Sequence, residues 1–205
     1  MPRAFTDTER ERIRERLLAA GRELFARYRL RKTTVEELAR AAGIAKGTFY
    51  LFFPSKEALY AEVLLSVIPG MVKTLLKRSF GVAEDVREAL VLYQKELVRL
   101  IEEDELVRAI IADRGSLENL LSVDWTEYRR RGFESLKPLV ETIREAQARG
   151  ELVEGDPWEL VQLLGIIKIL PLYKDQVPPE QYPKLVDRLA QMIADGLTCP
   201  ARRKR

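Results

Sequence analysis

The chain has 205 residues, of which 46% are hydrophobic and 33% are charged, and these proportions are typical of a soluble helical protein. Its single cysteine excludes an internal disulfide and its lack of histidine excludes histidine-based catalysis. Together they argue against a zinc site, and no metal or other cofactor is expected. The net charge of +3 is uneven, because residues 1–56 carry 13 basic and 7 acidic side chains. Such concentrated positive charge is typical of a surface that binds phosphates.

The first two helices are predicted from capping patterns. Thr8 and Glu11 have the spacing of a capping box and predict a helix that begins at Thr8 and ends near Arg29. Thr34 and Glu37 repeat that spacing and predict a second, shorter helix. These two helices would form the start of the positively charged region.

A sharp turn is predicted at Gly43. Glycine tolerates positive φ, and the small side chain of Ala39 one turn earlier lets two helices cross closely. A third helix is predicted over residues 45–52, with Phe49 and Phe52 on its buried face. The pattern indicates a helix-turn-helix, whose second helix presents its other face to a major groove of DNA.

The rest of the chain is also predicted to be helical. A long fourth helix begins at Ser55 or Lys56, and Pro69-Gly70 should kink or break it. Further helices are predicted at about 83–102, 105–121, 125–148, 156–174 and 178–197, with Asp156-Pro157 starting the fourth of these. The apolar stretch 160–173 is too short to span a bilayer and is predicted to be buried on most sides.

Residues 14–64 closely resemble the DNA-binding half of the TetR family of bacterial transcriptional regulators. The chain departs from the family pattern at Ala45, where serine is common, at Phe52, where tyrosine or histidine is usual, and at Arg29, where glycine often ends the first helix. The matching positions are Thr34, Leu38, Ala39, Ala42, Gly43, Ile44, Gly47, Tyr50, Phe53, Ser55, Lys56, Glu57 and Leu59.

The resemblance implies an all-α, TetR-like fold with a three-helix DNA-binding head and a C-terminal helical bundle that dimerises. We therefore expect a helix-turn-helix domain at 1–55, a ligand-binding and dimerisation domain at 56–200, and a basic disordered tail at 201–205. The residues expected to contact DNA are Thr34, Ala45, Lys46, Gly47, Thr48, Tyr50 and Lys56.

Each of these residues has a predicted role. Lys46 would donate to guanine, Thr48 would contact a thymine methyl or a phosphate, and Gly47 would allow close approach. Tyr50, Lys56 and the amide groups at the Thr34 helix end would bind phosphates.

Two further sites are implied by the resemblance. The last two helices would pair across a two-fold axis to form a homodimer, through Leu160, Leu164, Ile167, Leu185, Leu189, Met192 and Ile193. A small-molecule pocket would lie in the middle region, walled by Phe80, Tyr93, Trp125, Tyr128 and Phe133. Aromatic walls suit an apolar ligand, and the class suggested is a fatty acyl thioester or another apolar anion.

We interpret the chain as a cytoplasmic repressor that a small ligand releases from a palindromic DNA operator. No signal peptide and no association with a membrane are predicted. A DNA-binding regulator without an inducer, or an activator, remains an open alternative. A helical adaptor that binds only protein is a weaker one, because the head is basic. An enzyme is not supported, since the sequence has no nucleophile–base pair, phosphate loop or metal cluster.

Overall fold

The protein is described here from a computed structural model, which covers residues 5–117 and 125–198. Apart from an isolated bridge between Leu152 and Thr198, the regular structure in these ranges is helical. In chain order the elements are α1 (Asp7–Lys32), α2 (Val35–Ala41), α3 (Lys46–Phe49), α4 (Lys56–Arg78), α5 (Val86–Glu103), α6 (Glu105–Leu117), α7 (Trp125–Ala148), α8 (Pro157–Gly165), a 3₁₀ helix (Ile166–Gln176) and α9 (Tyr182–Leu197).

The chain divides into two compact units. The first unit comprises Met1–Val67 and Glu105–Arg131, and the second comprises Ile68–Asp104 and Gly132–Arg205. The boundary between the two units, after Val67, therefore lies later in the chain than the predicted boundary near residue 56. The reason is that the first turns of α4 belong to the same core as α1. A Cβ atom added to Gly21 of α1 would lie 3.0 Å from Val63 Cγ2 of α4. The division by function at residue 55 stays a prediction.

The first unit has a core formed by α1, α2, α3, α4 and α6. The rings of Phe25 and Tyr60 meet edge to face, with their centroids 4.9 Å apart, and both side chains are fully buried. Aromatic pairs in this arrangement stabilise a core beyond the area they bury. The other large, fully buried side chains of this core are Leu17, Leu38, Phe49, Leu59 and Leu106.

The N-cap of helix α1 lies two residues before the predicted one. Thr6, and not Thr8, is the N-cap: the Glu9 amide donates to the Thr6 hydroxyl at 3.2 Å and the Thr6 amide donates to the Glu9 carboxylate at 2.8 Å. The reason is that Thr6 and Glu9 have the same three-residue spacing as the predicted pair. The predicted end at Arg29 is an interruption, with φ 60° and ψ 167°, after which helical structure continues to Lys32.

Helix α4 runs unbroken from Lys56 to Arg78 through Pro69, so the predicted break does not occur. By length and composition alone α4 is the one described helix that could cross a membrane, with a mean hydropathy of 1.5. Its early apolar residues, among them Leu59 and Val63, instead pack in the core of the first unit.

The second unit is built around α5, α9 and the 3₁₀ helix. The buried amide of Gln94 on α5 donates to the carbonyl oxygens of Leu90 and Ala190, each at 3.1 Å, and so connects α5 to α9. Helix α5 starts after the N-cap Asp85, and α9 starts at Tyr182, four residues after the predicted start at Pro178.

The predicted helix 156–174 has two parts. Asp156 caps α8 by accepting a hydrogen bond from the Trp158 amide at 3.0 Å, with Pro157 in the first turn, as predicted. The chain then narrows to a 3₁₀ helix, whose tighter winding changes which side chains share a face. The prediction that this stretch is buried on most sides is wrong for the single chain. Its exposed apolar side chains are Leu163, Ile166, Ile169, Leu172 and Tyr173.

Candidate nucleic-acid interface

The turn between α2 and α3 has the hydrogen bonds of a Schellman motif. Gly43, with φ 66°, donates to the Arg40 carbonyl at 3.1 Å, and Ile44 donates to the Ala39 carbonyl at 2.9 Å. Positive φ is strained for other L-residues, so the turn requires glycine here. The predicted pivot is confirmed, and it brings α3 across α2 immediately after the helix end.

The inner face of this helix-turn-helix is closely packed. Leu38, Ala39 and Ala42 of α2 are buried, and Phe49 of α3 is fully buried. Phe52 lies at the edge of the core, where the Arg10 guanidinium covers its ring at 5.3 Å from the centroid. The α-helical part of α3 is shorter than predicted. The chain continues the helical path through hydrogen bonds from the amides of residues 52 and 53 to the Phe49 carbonyl, at 2.9 and 3.0 Å.

The outer face of α3 is open. Ala45, Lys46, Gly47 and Tyr50 are exposed and Thr48 is half-buried. A Cβ atom added to Gly47 would meet none of the described residues within 4 Å, and Gly47 is not among the positive-φ glycines. Neither packing against residues 5–117 and 125–198 nor backbone conformation therefore requires glycine at this position. A partner that approaches α3 closely would require it.

Lys46 has a charged partner on this face. Its ammonium group forms an ion pair with the carboxylate of Glu36, in the first turn of α2. The hydrogen bond from Lys46 is the main cause that lowers the pKa of Glu36, and the same bond raises the pKa of Lys46. Sequence reasoning missed Glu36, because an acidic residue in the first turn of a helix is already expected from the helix dipole.

The predicted phosphate-binding residues surround one cleft. Thr34, Tyr50 and Lys56 line it, and its volume is about 360 Å³. Its remaining lining residues are Arg31, Thr33, Val35, Pro54, Ser55 and Glu57. The exposed side chains of Arg31 and Lys32 add positive charge at the same end of α1. The three residues predicted to bind phosphates are therefore brought together by the fold of the first unit.

Two of these residues also have structural partners. The Thr34 hydroxyl and the Glu37 carboxylate form the predicted capping box, so the hydroxyl is already engaged within the chain. Lys56 Nζ donates to the carbonyl oxygens of Leu30 and Thr33, at 2.9 and 2.7 Å. Since an ammonium group has three protons, one is left for an outside acceptor. Lys56 therefore stabilises the end of α1, and its phosphate contact stays a prediction.

Comparison with known proteins relates the head of the chain to one family. The sequence model of "Bacterial regulatory proteins, tetR family" matches residues 17–63, which include the whole helix-turn-helix. Residues 17–63 therefore form a DNA-binding segment of the TetR type. The Bacillus subtilis (strain 168) HTH-type transcriptional regulator YdgC is 30% identical over 95 residues, 45% of this chain and 49% of that protein. The chain thus spans about half the length of that relative and 24% of two others.

Solved structures of the TetR family share the fold over the length of the chain. A regulator from Shewanella sp. PV-4 has a TM-score of 0.67 at 20% identity, covering 92% of this chain and 99% of that one. RolR in complex with resorcinol has a TM-score of 0.65 at 19% identity, covering 92% and 96%. The predicted all-α TetR-like fold is confirmed.

The aromatic residues predicted to wall a ligand pocket are not brought together around one described cavity. Tyr128 packs against the core of the first unit, whereas Tyr93 is buried in α5 of the second unit, where burial raises its pKa. Phe133 is 48% exposed and its ring meets Trp158 at 5.2 Å. Phe80 is half-buried, and the side chain of Trp125 lies outside the described residues. Their dispersal reflects that each helix of the bundle needs its own apolar residues for packing.

A different cavity, of about 700 Å³, is present in the second unit between α5, the 3₁₀ helix and α9. Its walls combine apolar side chains with cations that are paired to acids, such as Lys174 with Glu102 at 2.8 Å. The residues that line it are Lys95, Val98, Arg99, Glu102, Lys174, Asp175, Val177, Pro179, Tyr182, Pro183 and Val186.

The predicted dimer residues separate into two groups. Leu160, Leu164 and Ile167 are buried within the chain itself, with at most 4% exposed, so their place in the interface is corrected. Leu160 and Leu164 belong to the inner face of α8, and Ile167 belongs to the 3₁₀ helix; both elements pack on α5 and α9. The predicted residues of α9 face outwards: Leu185 and Met192 are exposed, and Leu189 and Ile193 are half-buried.

Proposed function

We propose that this protein is a sequence-specific repressor of the TetR family that binds a palindromic operator as a homodimer and is released by a small ligand. The observation that carries the DNA-binding part is the exposed face of α3, where Gly47 has no role in packing against the described residues or in backbone conformation. A helix that enters a major groove needs such an unobstructed face.

The two sides of the interface have different tasks in this proposal. Lys46 and Thr48 reach base edges from the start of α3, which gives sequence preference. Tyr50, Lys56 and the start of α2 bind phosphates around the 360 Å³ cleft, which gives affinity and orientation.

The dimer supplies a second DNA-binding head, which would bind the second half-site of the operator. The exposed apolar side chains of the 3₁₀ helix and α9 form a surface that a second copy would cover, and Ile166 and Met192 are 52% and 62% exposed. Exposed apolar groups of this size favour association. Two heads related by a two-fold axis would read half-sites about 34–36 Å apart.

A small ligand would bind in the 700 Å³ cavity of the second unit, which has the size of a small-molecule site. Val98, Val177 and Val186 offer apolar walls, and an apolar anion such as a fatty acyl thioester would take Lys95, Arg99 and Lys174 from their present acidic partners. The neighbour RolR binds resorcinol, which is an observation on that protein.

The test of DNA binding is a selection from random duplex DNA, followed by footprinting and a salt titration. The expected result is a near-palindromic site whose affinity falls steeply with salt, because phosphate contacts release counterions. Absence of any selected sequence, or affinity that does not change with salt, would contradict DNA binding. Titration of the complex with medium- and long-chain acyl anions then tests the ligand, and release by none of them would contradict this ligand class.

A further inference from the structure

The face of α3 is nearly devoid of charge. Among residues 41–55, Lys46 is the only charged side chain, and Glu36 neutralises it from α2. A protein that only needed attraction to phosphates would gain from leaving this lysine free. The Glu36 carboxylate on the same face reduces the electrostatic attraction between α3 and DNA phosphates. Its presence there therefore needs another explanation.

Stability within the chain supplies only a small part of that explanation, because the α2 dipole favours an acidic residue in the first turn and Glu37 already provides one. Both partners of the ion pair are mostly exposed, at 53% for the lysine side chain and 60% for the glutamate, and exposed pairs contribute little. The cap of α2 is made by Thr34 with Glu37, the neighbour of Glu36. Glu36 is therefore not needed for the capping box.

The chemistry of the pair matches the edge of a G·C base pair. In the major groove guanine presents two acceptors, O6 and N7, and cytosine presents one donor, the N4 amine. A lysine ammonium donates to the first and a glutamate carboxylate accepts from the second. The Glu36–Lys46 pair holds such an acceptor and such a donor side by side, at the start of α3.

We propose that Glu36 is a specificity-determining residue, which reads a cytosine beside the guanine read by Lys46 and weakens binding to DNA that offers no donor at that position. This inference rests on the proposed DNA-binding function. At sites with no donor at that position the carboxylate faces thymine O4, guanine acceptors or phosphates, and each of these repels it or leaves it without a donor. Specificity then arises from a penalty against wrong sequences as well as from contacts to the right one.

The first experiment compares Glu36→Gln with Glu23→Gln, which removes the same charge from an exposed position on α1. Operator and non-operator affinities are measured for both variants at one salt concentration. Glu36→Gln should bind non-operator DNA about three- to tenfold more tightly and should lose preference for one G·C pair in each half-site. Glu23→Gln should keep the ratio of operator to non-operator affinity found in the natural protein.

The second experiment separates reading of bases from a structural role. Exchanging the two residues, by Glu36→Lys together with Lys46→Glu, retains an ion pair between α2 and α3 but reverses donor and acceptor. We expect the selected DNA sequence to change at that base pair, with thermal unfolding unchanged. A selected sequence identical to that of the natural protein would overturn the proposal.

The failures of the two proposals can be told apart. If the natural protein selects no DNA, the DNA-binding function itself is wrong. If it selects an operator and Glu36→Gln leaves the affinity ratio within twofold of the natural value, only the role of Glu36 is refuted.

Discussion

Gly43 and Gly47 lie four residues apart, and the sequence alone explains why the first is a glycine but not why the second is. The positive φ of Gly43 follows from the short turn between two helices, so the sequence was sufficient to predict it. Gly47 lies in ordinary helical backbone, and only its empty surroundings show that packing against the described residues does not require a glycine there.

Gly47→Ala should therefore separate stability from function. Because alanine fits the backbone and restricts the unfolded chain, the free energy of unfolding should rise by about 0.4–1 kcal/mol. Operator affinity should fall at least tenfold, because the new methyl group would lie between α3 and the bases. Gly70→Ala in α4, where an added Cβ also meets none of the described residues, is the matched control and should raise stability without changing affinity. Unchanged operator affinity for Gly47→Ala would contradict close approach at α3.

Arg29 adopts a conformation that is nearly exclusive to glycine, at φ 60° and ψ 167°. Arg29→Gly should remove this strain and raise the free energy of unfolding by about 1 kcal/mol, measured by chemical denaturation. Arg27→Gly, two residues earlier in regular helix, should lower it by about 0.5–1 kcal/mol. A loss of stability in both variants would mean that Arg29 is not strained.

At the scale of elements, caps and turns formed by neighbouring residues were predicted better than contacts between helices. The cap of α2, the turn at Gly43 and the start of α8 depend on residues within five positions of one another, so the sequence pattern is sufficient to predict them. The start of α1 was misplaced because two overlapping Thr/Glu pairs have the same spacing. The ion pair between Glu36 and Lys46 could not be predicted, since it depends on how α2 and α3 cross.

A single glutamate connects three helices of the first unit. Glu62 of α4 accepts hydrogen bonds from Arg14 of α1, at 2.7 Å, and from Arg131 of α7. Burial alone would raise the pKa of Glu62, but the hydrogen bonds from Arg131 and Arg14 outweigh it and lower the pKa below its ordinary value of 4.5. The folded state therefore favours the charged carboxylate.

Glu62→Gln should lower the free energy of unfolding by about 1–3 kcal/mol at neutral pH, because two arginines lose an anionic acceptor. A lowered folded pKa means that this stabilisation is present above pH 4.5 and is lost as the pH falls through the folded pKa. The difference between the natural protein and the variant should thus be constant near neutrality and should shrink in acid. Denaturant titrations at several pH values would check this, and a difference independent of pH would contradict it.

At the scale of the whole molecule, apolar periodicity located the last two helices but did not identify which side of each is covered. On α9 Leu185 and Met192 are exposed and Leu189 is half-buried, because their spacing places them on one helical face, and their place in a dimer interface stays a prediction. The predicted residues of α8 and of the 3₁₀ helix are core, whereas the exposed apolar side chains begin at Leu163 and continue along the 3₁₀ helix. A change of helix type shifts the face, and sequence periodicity does not show it.

This arrangement predicts that association and folding can be disrupted separately. Met192→Lys should convert the dimer to a monomer, because it places a charge where a partner would cover apolar surface, while the circular dichroism of the helices stays unchanged. Gln191→Lys is the control, since it adds the same charge at an exposed position of α9 where Asp187 can pair with it. Leu164→Ala should instead lower the free energy of unfolding by about 2–5 kcal/mol, as expected for a fully buried leucine.

Sedimentation and operator binding measured on the same samples complete the test. If the dimer positions two recognition helices, Met192→Lys should lose operator affinity in proportion to the dimer that is lost, and raising the protein concentration should restore it. Gln191→Lys should sediment and bind as the natural protein does. A Met192→Lys protein that remains dimeric would move the interface away from α9. One that is monomeric yet binds the operator unchanged would mean that a single α3 suffices, against the weak binding expected of one half-site.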